Sequence, residues 1–115
     1  MARYTYSFTV AAPITLLRPL LVEILQACNL EILYDTNDYM MSRENPGQVS
    51  FAKLVTVEVL IDKTTATDTE TRTKLVFKNE ELPLRFDNHC HKMFELVNQA
   101  IVDNRDWQLL ESIAE

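Results

Sequence analysis

A single glycine, Gly47, stands in 115 residues, which leaves no glycine-rich loop to cradle a phosphate. Nor is there the tight strand-to-helix elbow that would present Ser7, Ser42 or Ser50 as a nucleophile. Cysteine is almost as scarce, with Cys28 and Cys90 alone, too few for a disulfide framework. Basic residues are the scarcer charge: 11 against 17 acidic ones, a formal net charge of −6. That balance disfavours nonspecific attraction to nucleic acid and to anionic membrane surfaces. The tightest basic cluster, Arg72, Lys74 and Lys78, alternates along one strand face as a solvated surface does. Long apolar runs are missing too. The longest apolar stretch, residues 14–28, is broken by Arg18, Glu23 and Gln26, so neither a membrane span nor a signal peptide is expected. Without a secretory leader in Met1-Ala2-Arg3-Tyr4, both thiols are expected to be reduced and buried, with the cytoplasm as address.

What is present is a periodic apolar pattern in a chain that is 47% hydrophobic. Tyr4, Tyr6, Phe8 and Val10 alternate with Arg3, Thr5, Ser7 and Thr9, the period of a half-buried strand. Leu17, Leu20, Leu21, Ile24 and Cys28 then follow i, i+3, i+4, i+7, i+11 spacing, which predicts a helix with Thr15 as its N-cap and Pro19 in the first turn, where an amide is dispensable. Leu30, Ile32 and Tyr34 return to period two. Thr36-Asn37-Asp38 supplies a hairpin turn before a strand over 39–44, and Asn45-Pro46-Gly47 is the strongest turn signal of the chain. One long strand is expected over 49–61, with Val49, Phe51, Val55, Val57, Val59 and Ile61 on one face and Lys53 the exception, and another over 69–78. Glu80-Glu81-Leu82-Pro83 closes the sheet. A second helix is predicted to about Val102, carrying Cys90, Met93, Phe94, Val97 and Ile101 as its buried stripe. Trp107, Leu110 and Ile113 suggest a short terminal helix.

These elements predict one α+β domain over residues 1–115: a five-stranded antiparallel sheet with two long helices on one face and a short C-terminal helix. The order β-α-β-β-β-β-α resembles one repeat of the TATA-box-binding-protein-like fold and, more distantly, the helix-grip fold of Bet v 1 and START-type lipid binders. The stretch Phe77-Lys78-Asn79-Glu80-Glu81-Leu82-Pro83-Leu84, with Asn88-His89-Cys90, also resembles small uncharacterised proteins of cyanobacteria. The resemblance implies a fold and no activity.

The sharpest chemical motif is Asp87-Asn88-His89-Cys90-His91. A helix advances about 100° per residue, so the stripe through Cys90 places His89 and His91 on opposite shoulders, unable to chelate one ion together. No metal, cofactor or catalytic group is assigned. Asp87 or Asn88 is expected to cap the helix. His89 and His91, with Glu80 and Glu81, would rim any pocket opening between sheet and second helix, where a small molecule would bind. Glu44 and Glu58 would meet if their strands were in suitable register. On the other sheet face, Ala52, Leu54, Leu60, Val76 and Met40 would form an apolar patch among Thr56, Glu58, Arg72 and Lys74. Leu54, Leu60 and Val76, with Trp107 as an anchor, are the expected association surface for a second copy or another protein. Two functions follow. The first is a small non-catalytic interaction or adaptor protein, homodimeric through the open sheet face. The second is a small-molecule binder or enzyme with its pocket near His89 and His91.

Overall fold

The computed structural model describes residues 1–82 and 88–114. Alternation in the first segment becomes β1 (Ala2–Val10), whose full length pairs antiparallel with β5 (Thr71–Asn79), Tyr4 opposite Phe77 and Phe8 opposite Thr73. Between them run α1 (Ile14–Ala27), β2 (Leu30–Asp35), β3 (Tyr39–Glu44) and β4 (Thr56–Ile61). After β5 come α2 (His89–Asp103) and β6 (Leu109–Ala114). The sheet has six strands in the order β2-β3-β4-β5-β1-β6, with every pairing antiparallel.

One face of this sheet carries both helices. Phe8, Val10, Met40, Val57, Val59, Leu75 and Phe77 share a buried cluster with Leu17, Leu21 and Ile24 of α1 and with Cys90, Met93, Phe94, Val97 and Ile101 of α2. The other face is bare of both helices. The α2 stripe is the one the spacing predicts; in α1, Leu25 joins Leu17, Leu21 and Ile24 in the core while Leu20 is half-buried. Helix α1 ends where Asn29 enters the left-handed region at φ 66°, a position that asparagine tolerates better than most residues. There Asn29 accepts a 2.9 Å hydrogen bond from the Asn45 amide, fastening the helix end to the turn after β3.

Five expectations need correction. The terminal segment is a sixth strand and not a helix: two turns cannot hold themselves together, whereas the edge of β1 offers unpaired backbone groups. Helix α1 starts one residue before Thr15, with Pro13 in the cap position, so Pro19 sits beyond the first turn. Its exposure, and that of Thr15, whose carbonyl loses the Pro19 amide, lets water replace the missing bond. The expected long strand breaks into a 3₁₀ turn at Phe51–Lys53 and the shorter β4. Hydrogen bonds from Glu80 N to Ala52 O and from Asn79 Nδ2 to Lys53 O hold that turn against the end of β5. Met40 lies opposite Val59 on the helical face, fully buried. A register shift in β2 after Ile32 puts Tyr34 opposite Met41, on the bare face. Pro83 and Asp87 lie outside the described residues.

Candidate functional site

The sequence motif around His89 folds into the corner where β3, the end of β5 and the start of α2 meet. Asn88 caps α2: its side-chain oxygen accepts from His91 N at 3.0 Å, and its amide donates to Leu82 O at 3.2 Å. One residue on, the His89 Nε2 atom lies 2.8 and 2.9 Å from the two carboxylate oxygens of Glu44. The Glu44 side chain is 2% exposed and that of His89 19%. Glu44 also accepts the Val55 backbone N–H at 3.1 Å, so its carboxylate ties β3 and α2 to the residue just before β4.

Glu81 forms the second half of the corner. Its Oε1 accepts from Asn79 Nδ2 at 2.6 Å and from Cys90 N at 3.0 Å, while its own N–H donates to the Asn79 side chain at 3.1 Å. Burial opposes ionisation of Glu81. The Asn79 amide, the backbone N–H groups of Cys90 and His89 and the nearby His89 imidazole outweigh that cost and hold its carboxyl below the usual glutamate range. Cys90 shows the reverse effect: burial, then the charges of Glu81 and Glu44, pushes its thiol up to about 12. Burial also raises the Cys28 thiol, so neither cysteine offers a thiolate at neutral pH.

The two histidines part company here, as the helical stripe requires. His91 Nδ1 lies 2.7 Å from Glu95 Oε1, and its ring meets Tyr4 edge-on at 5.0 Å. Glu80 and Glu81 diverge as well, Glu80 exposed and Glu81 buried. Glu44 and Glu58 stand on opposite sheet faces, since Glu44 continues the parity of Ser42 and Met40 while Glu58 lies opposite Met41. Four clefts lined by described residues lie elsewhere, with neither histidine in their walls. Most polar groups of the corner are joined to one another, but Glu81 Oε2 is buried without a hydrogen-bond partner among the described residues.

The largest of those clefts lies across the sheet, on the bare face. It measures about 780 Å³ and is lined by Met1, Met41, Phe51, Ala52 and Leu54, with Arg43, Thr56, Glu58, Lys78, Asn79 and Glu80 among its polar walls. Within it Glu58 accepts from the Tyr39 hydroxyl at 2.9 Å and forms an ion pair with Lys78. Those two bonds hold the Glu58 carboxyl below its ordinary range against the effect of burial. The Arg43 guanidinium lies over the Phe51 ring, 4.9 Å from its centroid.

Of the apolar residues expected on this face, Leu60 is exposed at 44%, whereas Val76 is 4% and Leu54 6% exposed. Trp107 is 8% exposed, packed on Phe8 with ring centroids 5.7 Å apart, and donates its indole N–H to Ile101 O. Sequence reasoning missed Met41, Arg43 and Phe51. The first two were legible as the outward parity of Tyr39-Met41-Arg43; Phe51 was not, because only the 3₁₀ turn swings it outward. No helix of the described residues is long and apolar enough to cross a membrane. Comparison with protein-family models, curated proteins and solved structures returns no match.

Proposed function

We propose that this protein is a small non-catalytic interaction or adaptor module of the cytoplasm that works as a homodimer through the bare face of its sheet. The observation that carries the reading is a single cross-strand row on that face. Tyr39, Leu60, Lys74, Ser7 and Ile113 stand side by side over five strands, with Leu60 and Ile113 exposed at 44% and 47%. The exposed apolar side chains of this row, interleaved with Lys74 and Ser7 and rimmed by charge, form the kind of surface that association buries. The same face carries both signs, Arg72 and Lys74 on β5 and Glu111 on β6, which suits it to a rotated copy of itself. Two buried, unpaired thiols suit a reducing compartment. The carboxylates and His89 of the opposite corner are engaged in joining the sheet to α2, which favours a structural role for them over a catalytic one.

Sedimentation velocity at micromolar concentration tests this. The wild-type chain should sediment as a dimer and Leu60→Glu as a monomer, while both keep the same circular dichroism. A strictly monomeric wild type, indistinguishable from Leu60→Glu, rejects the homodimer. Leu54→Glu is a poor probe of the surface because Leu54 is buried.

A further inference from the structure

We propose that the cleft at the Arg43 end of the bare face is a binding site for a small amphipathic anion, an alkyl carboxylate whose head group meets Arg43 and whose chain lies on Met41, Ala52, Leu54 and Phe51. The cavity of about 780 Å³ falls within the range that small-molecule sites occupy, on the order of 300 to 1,000 Å³. Its apolar lining includes Met1 and Met41, and unbranched thioether side chains adapt readily to a flexible chain.

The head-group assignment follows from charge. Four charged side chains line the cleft: Arg43, Lys78, Glu58 and Glu80. Lys78 and Glu58 neutralise one another, and the Tyr39 hydroxyl takes a further position on Glu58. Glu80 is exposed and disfavours a second carboxylate beside it. Arg43 is left. Its cross-strand neighbour is Glu31, yet among the described residues the two form no ion pair; the guanidinium lies instead over Phe51. A guanidinium over an aromatic ring, with no carboxylate paired to it among the described residues, has N–H donors to offer a planar carboxylate. A basic group with an open donor edge, next to an apolar floor, is complementary to a carboxylate on an alkyl chain.

This site does not rest on the dimer. Leu60 is absent from its lining; the lining residue nearest to it along β4 is Glu58, two residues away, about 7 Å at strand rise.

Octanoate, octylammonium and octanol serve as probes, followed by amide chemical shifts in the full-length protein. Octanoate should saturate shifts at Met41, Ala52, Leu54 and Thr56, with octylammonium about tenfold weaker or worse, as loss of one charge-assisted contact implies. Arg43→Gln, a surface change that leaves the spectrum otherwise intact, should weaken octanoate about tenfold and leave octanol within about twofold. Arg43→Lys should fall between, because it keeps the charge and loses the fork. Leu60→Glu should bind octanoate as the wild type does, so that failure of the dimer and failure of this site are told apart. Three results overturn the proposal: no saturable shift in the cleft by about 10 mM, equal affinity for all three probes, or octanoate binding that survives Arg43→Gln or vanishes in Leu60→Glu.

Discussion

Glu44 and Glu81 are acidic residues placed where acidic residues are seldom found; neighbouring donors reach both oxygens of Glu44 but, among the described residues, only Oε1 of Glu81. For Glu44 the principal donor is His89. Removing one partner of a buried pair leaves the other's charge uncompensated, so His89→Ala should cost about 2 to 4 kcal/mol in urea denaturation. In a Glu44→Gln background the same change should cost at least about 1 kcal/mol less, because no charge is stranded. Additive effects of the two substitutions would show that the contact does not stabilise the fold. Glu81 gives a prediction in pH. A carboxyl held below its ordinary value of 4.5 in the folded state binds its proton more readily when the chain unfolds. Its contribution is therefore complete above the unfolded value and is lost as pH falls through the folded one. The stability gap between wild type and Glu81→Gln should be widest near neutrality and narrow below about pH 4.5; an equal gap at both ends of the titration would remove the charge from the explanation. Little of this was legible beforehand. His89 and Glu44 are 45 residues apart in the chain, and only the tertiary fold, which brings the start of α2 to the end of β3, puts them together. The separation of His89 from His91, by contrast, follows from helical periodicity alone.

At the scale of elements, the two helices were readable because each buries a long stripe; that of α2 reappears as predicted, and that of α1 reappears with Leu25 added and Leu20 half-buried. The terminal segment was misread for a physical reason. Trp107, Leu110 and Ile113 fit a helical spacing, but six residues have too little local preference to resist the free edge of β1. Trp107 sets the entry to that strand by packing on Phe8 and bonding Ile101 O. Trp107→Ala should then cost about 3 to 5 kcal/mol, and Trp107→Phe, which keeps a ring and loses the indole donor, about 1 kcal/mol, both read from urea denaturation by circular dichroism. Near-neutral stability in Trp107→Ala would mean that β6 is held by its backbone pairing alone. The same contest between local pattern and tertiary contact divided residues 49–61. Their alternation suits a continuous strand, yet the Asn79 side chain and Glu80 amide stabilise a turn in the middle of it.

Seen whole, the molecule is a sheet with one insulated face and one bare one, and its chemistry is sorted accordingly. The polar corner on the helical side joins secondary structures; the cleft and the Tyr39–Ile113 row on the other side are the seats we propose for a ligand and a second copy. The amino-acid order by itself determined the α+β class, the antiparallel strands, the stripes of both helices and the divergence of the two histidines. These depend on periods of 2 and 3.6 residues, which are local properties of the backbone. Tertiary structure alone decided the Glu44–His89 contact, the sixth strand, the outward turn of Phe51 beneath Arg43, and which apolar residues of the bare face stay exposed. Each of those depends on cross-strand register or on competition for a sheet edge, and both are settled between segments distant in the chain.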